Sequence, residues 1–163
     1  VPVEIRVDIS QDIHSMWCHD GQLKQVLVNL VVNAVQAMPD GGVLAISLSQ
    51  EPPQTLGIPA VRLTVGDSGI GIAPAHLSRI FDPFFSTKDA GTGLGLAIVY
   101  SIVDAHQGRI DVDSTVGQGT ACSIILPHPA IGGDPHAMQI PMRNELESSQ
   151  SYPGEHTMAL VEE

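Results

Sequence analysis

The chain has 163 residues, 43% of them apolar, and sets 7 Lys+Arg against 18 Asp+Glu for a formal charge of −11. That apolar content suffices for the core of one domain, while the negative field repels nucleic-acid backbones and anionic membrane surfaces and makes both poor partners. Cys18 and Cys122 form neither a metal spacing nor a disulfide framework, and no signal peptide or long apolar run occurs, so a reducing, cytosolic setting is expected.

Val3 to Ile9 alternates as a half-buried strand, and Gly21 to Met38 reads as a long helix closed by Pro39-Asp-Gly-Gly42. On that helix Leu23, Leu27, Leu30, Val31, Ala34 and Met38 share a core-facing stripe. Gln22, Gln25, Asn29, Asn33 and Gln36 gather in a separate arc of roughly 80°. A solvated face would normally carry Lys and Glu, and asparagine in a helix interior costs roughly half a kcal/mol of propensity. Something should compensate. A neutral amide oxygen suits Mg²⁺ when phosphates supply the negative charge; the alternative is an amide hydrogen-bonded to a neighbouring loop.

A second strand is expected over Val43 to Ser49, a Pro- and Gly-rich connection over Glu51 to Ala60, and a third strand over Val61 to Val65. The run Val65-Gly66-Asp67-Ser68-Gly69-Ile70-Gly71-Ile72 then sets one carboxylate among glycines after an apolar strand. As a turn it would be ordinary. A lone acceptor beside apolar residues can also receive the exocyclic amine of adenine, with glycines letting the flat base lie against backbone, which makes Asp67 a candidate base reader.

Pro74 to Phe81 reads as a short helix, and Phe81, Phe84 and Phe85 are expected to anchor the following loop to the core. In that loop Lys88 is the only basic residue near the glycines, a candidate counter-charge for a terminal phosphate or else a solvated lysine. Gly91-Thr92-Gly93-Leu94-Gly95-Leu96 opens an apolar helix, Leu94 to His106, that stops at Gln107-Gly108. A helix N-terminus offers unpaired N–H groups and partial positive charge, and glycines admit a phosphate to that backbone. The dinucleotide fingerprint is excluded because position 96 is Leu, and the P-loop because Lys88 precedes the glycines. Alone, the triplet is equally compatible with ordinary turns that need φ > 0.

Two last strands, Arg109 to Ser114 and Thr120 to Leu126, join through Gly117-Gln-Gly119, with Cys122 read as a small buried hydrophobe. Strands interspersed with helices and a closing hairpin suggest an α/β layer with a mixed sheet. From His128 the composition turns to Pro, Gly, Ser, Met and Glu without a period, so residues 1–127 are expected to form the domain and 128–163 a linker or tail.

Five blocks in this order resemble the catalytic ATP-binding domain of sensor histidine kinases, within the superfamily that also holds gyrase, the Hsp90 chaperone and the MutL repair protein. Gln25-Val-Leu-Val-Asn29-Leu-Val-Val-Asn33-Ala34 looks like the asparagine box and Asp67-Ser-Gly69-Ile-Gly71 like the first glycine box. Phe81-Asp-Pro-Phe-Phe85 resembles the phenylalanine box, Gly91-Thr92-Gly93-Leu94-Gly95-Leu96 the second glycine box, and Gly117-Gln-Gly119-Thr120 the final one. The resemblance implies an α+β sandwich of the Bergerat type: a mixed, mostly antiparallel sheet of about five strands, covered on one face by about three helices. It implies ATP and Mg²⁺ under a lid between the phenylalanine box and the glycine loop. Asn33 would hold the metal, Asn29 the phosphates or metal, Asp67 the adenine, and Thr120 the base side. Gly69, Gly71, Ile72, Lys88, Gly91, Thr92, Gly93, Leu94, Gly95 and Leu96 would surround the nucleotide. The lid, Ser86 to Ala90, is short, as in the nitrogen-regulation type of sensor kinase.

In ATP-hydrolysing relatives a glutamate one turn before the metal asparagine activates water; here that residue is Asn29, and an amide cannot accept the proton. Phosphoryl transfer to a histidine therefore fits better than hydrolysis, with Asn29 and Lys88 as the catalytic pair. The alternatives are an ATP-hydrolysing clamp and a non-catalytic nucleotide sensor. Where many such kinases carry Lys or Arg three residues after that asparagine, this chain has Gln36. None of the seven histidines has the phosphoacceptor setting, so the implied partners are a dimerisation hairpin outside this sequence and a response regulator or receiver domain. Thr157 to Glu163 faintly resembles a receiver's opening strand. The isolated domain is expected to be monomeric and cytoplasmic, or the cytoplasmic part of a membrane-bound sensor.

Overall fold

A computed structural model of the chain describes residues 2–11, 13, 19–53, 55, 56, 58–87 and 91–127. Its elements run β1 (Val3–Ile9), α1 (Asp20–Gln36), β2 (Gly42–Glu51), β3 (Ala60–Asp67), α2 (Pro74–Leu77), α3 (Gly95–Ala105), β4 (Arg109–Thr115) and β5 (Gly119–Pro127). The strands form one sheet in the order β1-β2-β3-β5-β4. A helical crossover separates β1 from β2, and these two pair in parallel, Ile5 beside Leu44. The other three pairings are antiparallel, the last a hairpin between β4 and β5. This is the expected α+β architecture, a mixed and mostly antiparallel sheet of five strands.

The core lies between the sheet and the two long helices. Val26, Leu30, Ala34 and Met38 of the first helical segment meet Val99 and Val103 of α3 over Leu44, Val65, Cys122, Ile124 and Leu126. Val26, outside the expected stripe, is fully buried, while Leu23, Leu27 and Val31 are only partly so. The cause is α3: a helix packed against both a sheet and a second helix buries a face turned toward each. On the opposite sheet face polar residues alternate with the core set, and the hydroxyls of Thr64 and Ser123 meet across β3 and β5 at 2.8 Å.

Several expectations need correction. β1 is an edge strand, and its apolar residues Ile5, Val7 and Ile9 are 60–64% exposed rather than half-buried. β2 and β3 run further than expected, so Glu51 and Ala60 pair within the ladder instead of opening a connection. There Glu51 is buried against the Arg62 guanidinium at 2.7 Å. The arginine and the Thr55 hydroxyl, both donating to the carboxylate, hold its pKa down at about 2. Asp67 is the last residue of β3, not part of the turn. α2 is one turn that ends at Leu77, four residues short of the expected end, with no buried residue. Residues 128–163 and Lys88 lie outside the described residues. Among the described residues no helix is long and apolar enough to cross a membrane.

Candidate functional site

A cavity of about 360 Å³ opens between α1, the loop after β3, and the start of α3. One end is built on strands. The antiparallel register sets Asp67 opposite Thr120, so both side chains sit at the same level of the sheet. Asp67 Oδ1 accepts the Gly69 N–H at 2.8 Å, which folds the turn back onto the strand end. The turn is then stitched to its surroundings: Ile70 N–H donates to the Ala37 carbonyl at the end of α1, and Gly117 N–H donates to the Ile70 carbonyl. Ser114 Oγ accepts the Ile72 N–H at 2.8 Å, donates to the Gly119 carbonyl at 3.0 Å and lies 2.9 Å from Thr120 Oγ1. Gly69 does not line the cavity, yet a Cβ there would come within 2.3 Å of the Ala37 carbonyl oxygen, so the residue is needed for the approach. Val65, Val112 and Cys122 supply apolar wall. Cys122 is buried as expected, and burial pushes its thiol up to about 12, so the sulfur is an inert surface here.

The other end is built on helices. Asn29, Asn33 and Gln36 of the amide arc line the cavity, whereas Gln22 and Gln25 are exposed and do not. Gly95, the first residue of α3, faces them: a methyl group there would sit 3.6 Å from Asn33 Nδ2 and 3.9 Å from Asn29 Oδ1. The positive end of the α3 dipole is thus aimed at two amides. Asn29 Nδ2 is buried and has no hydrogen-bond partner. A buried amide group left alone costs about 1–3 kcal/mol, which a ligand with acceptor oxygens would relieve; the amide turned over would present its oxygen to a cation instead.

Gly91, Thr92 and Gly93 also line the cavity, as do Ser86 and Thr87. The Phe84 N–H donates to the Gly93 carbonyl at 2.9 Å, tying together the two ends of the loop between them. Gly93 has φ +66° and no room for a Cβ, which would lie 2.4 Å from the Phe84 carbonyl carbon. Phe84, itself at φ +67°, is 77% exposed and anchors nothing, contrary to expectation. Phe81 meets Tyr100 and Phe85 lies under Arg79, the guanidinium 4.6 Å from the ring centre, so the loop is pinned by partners at the surface and not by the core cluster.

Of the expected site residues, the cavity brings together Asn29, Asn33, Asp67, Gly71, Ile72, Gly91, Thr92, Gly93, Gly95, Leu96 and Thr120. Leu94 is not among its lining residues. His76, Ile80, Phe85, Val112 and Cys122 also line it and were not anticipated. The strand residues Val112 and Cys122 could have been found by period-2 alternation, since they are register partners; His76 carried no signal.

Residues 18–130 match the family model described as histidine kinase-, DNA gyrase B-, and HSP90-like ATPase. The chain belongs to this family. As a member of it, the chain is similar to Sporulation kinase E of Bacillus subtilis (strain 168), 40% identical over 125 residues that cover 77% of this chain and 16% of that protein. It is also similar to Sensor histidine kinase ZraS of Escherichia coli (strain K12), 38% identical over 82% of this chain and 27% of that protein. Among solved structures, the catalytic domain of histidine kinase ThkA is 31% identical with a TM-score of 0.67, over 77% of this chain and 79% of that one. The chain thus spans less than a third of the length of these curated relatives.

The residues of this ATPase-family cavity fit a magnesium nucleotide. Its volume of about 360 Å³ lies within the range of small-molecule pockets, about 300–1,000 Å³, and its polar groups divide between a strand end with a carboxylate and a helical end with amides and a helix N-terminus. The donor set is neutral at the helical end, which suits a metal whose negative partners arrive with the ligand.

Proposed function

We propose that this domain binds ATP with Mg²⁺ and transfers the γ-phosphoryl group to a histidine on a dimerisation hairpin, as one step of two-component signalling on the cytoplasmic side of a cell. The observation that carries the reading is the meeting of Asn29, Asn33 and the α3 N-terminus, with one buried amide nitrogen unpartnered. Asp67 accepts the exocyclic amine of the base, and Thr120 holds the base side. Asn33 and Asn29 hold Mg²⁺ and phosphate oxygens through their amides. A Mg²⁺ ion held by these amides would supply charge neutralisation for the phosphates. The N–H groups of Gly93 to Leu96 take the phosphate oxygens at the helix dipole's positive end.

In the transfer, a bond forms between an acceptor imidazole nitrogen and the γ-phosphorus while the bond to the bridging oxygen breaks. The electron pair leaves with ADP, and the ring loses its other N–H proton to solvent. Asn29 cannot accept a proton from water, so the bound nucleotide is preserved until the histidine arrives. Lys88 is the candidate counter-charge for the transferred group.

The test is transfer of radiolabel from γ-labelled ATP to a phosphoacceptor hairpin joined ahead of Val3, with Asn33→Ala and Asp67→Asn beside the wild type. Labelled histidine in the wild type, with at least about a hundredfold loss in both variants, is expected. Sustained release of ADP without any hairpin would overturn the reading in favour of an ATP-hydrolysing clamp.

A further inference from the structure

His76 lies in the last turn of α2 and lines the cavity, half-buried, without a role in the reading above. Its ring meets Phe85 edge-on, centroids 5.7 Å apart and planes at 67°. Arg79 lies on the same Phe85 ring and also reaches Asp82 at 3.5 Å. Among the described residues neither ring nitrogen of His76 has a hydrogen bond. An imidazole packed on an aromatic ring, on the wall of a cavity and with both nitrogens unspent, is set up to bond something that enters.

Its neighbours indicate what that is. Four residues before it, the Ile72 N–H is tied to Ser114 at the base end. Its ring partner Phe85 leads directly into Ser86 and Thr87, which line the cavity together with the glycine loop of the phosphate end. His76 is thus linked by the chain to the base end and by its ring contact to the segment before the glycine loop, and the part of a nucleotide that joins base to phosphates is the sugar. Resting on the nucleotide reading of the cavity, we infer that His76 is a nucleotide-contacting residue whose imidazole hydrogen-bonds a ribose hydroxyl. The contact gives the pocket a preference for ribonucleotides and, through Phe85, couples occupancy of the sugar position to the first residues of the loop at the cavity mouth.

The test is a cycle in the full chain: calorimetric affinities for Mg²⁺-ATP, 2′-deoxy-ATP and 3′-deoxy-ATP in the wild type, His76→Ala and His76→Phe. The phenylalanine variant keeps a ring against Phe85 and removes only the polar nitrogens. The expected result is a loss of about fivefold for one deoxy analogue in the wild type, the value of a single hydrogen bond. Both variants should bind ATP about fivefold more weakly and show no further loss with that analogue. Wild-type affinity in His76→Phe would mean that the ring only packs, and losses that multiply rather than overlap would move the contact away from the sugar; either overturns the inference and leaves ATP binding intact. No ATP binding by the wild type would instead remove the nucleotide reading itself, and this inference with it.

Discussion

The two ends of the cavity are held in opposite ways. At the strand end the polar groups are bonded to one another: Asp67 takes the Gly69 N–H, Ser114 links Ile72, Gly119 and Thr120, and the turn is bonded to α1 and to the final hairpin. At the helical end a buried amide nitrogen of Asn29 has no partner. The first end is shaped by the same ladder that holds the fold together, so it exists before any ligand arrives. The second carries a deficit in hydrogen bonding that the fold tolerates because a ligand removes it, the usual signature of a site whose local cost is met elsewhere in the structure.

A pair of glycine-to-alanine changes should break the comparison open. At Gly119, φ is +112° and a Cβ would fall 1.9 Å from the Asp67 carbonyl oxygen, so Gly119→Ala should cost at least about 3 kcal/mol in urea unfolding and disorganise the strand end. At Gly95 the nearest atom to a new Cβ is 3.6 Å away, in ordinary contact. Gly95→Ala should therefore leave the fold as stable or up to about 1 kcal/mol more stable, while nucleotide affinity falls because the methyl occupies the approach to both amides. Equal loss of stability in the two variants would erase the distinction between the ends.

Asn29→Leu sharpens it further. Removing an unpartnered buried amide should raise stability by about 1 kcal/mol in thermal unfolding, and ATP binding should be lost in the same protein. A drop in stability would show that the amide is satisfied in solution.

The smallest effect is expected far from the cavity, at the other end of β2 and β3. Glu51 has its pKa depressed from 4.5 to about 2, first by the Arg62 hydrogen bond and then by Thr55. A depressed carboxylate contributes stability above its unfolded pKa and loses it as pH falls through the folded one. Wild type should thus exceed Glu51→Gln by about 1 kcal/mol at neutral pH, and the gap should close between roughly pH 4.5 and 2. Nucleotide affinity should be the same in both; a shift there would mean that the far end of the sheet is coupled to the site.

Much of the site was legible because it is built from local signals. The glycine loop before α3, the amides spaced one turn apart on α1 and the acidic residue after an apolar strand each need only their neighbours to be recognised. Val26 was missed because its burial depends on α3, a helix some seventy positions further along the chain. The exposure of Ile5, Val7 and Ile9 was missed because alternation reveals that a strand has two faces but not that the strand stands at the sheet's edge. Phe84 was misread for a related reason: aromatic residues favour the core, and only the backbone bond from Phe84 to Gly93 shows that its position serves the loop instead.

The sequence by itself determined the elements, the order of the blocks and the chemistry available to them, because helix and strand periods, caps and glycine turns are written over a few neighbouring residues. Tertiary structure alone decided that Asn29 and Asn33 meet the start of α3, that Asp67 pairs with Thr120, and that His76 joins them at one cavity. Those meetings bring together segments tens of residues apart: the Asp67–Thr120 pair follows from β5 inserting between β3 and β4 in the sheet, and the amide contact with α3 from the packing of α1 on α3. Strand order of that kind is fixed by the packing of the whole core and by no local run of residues.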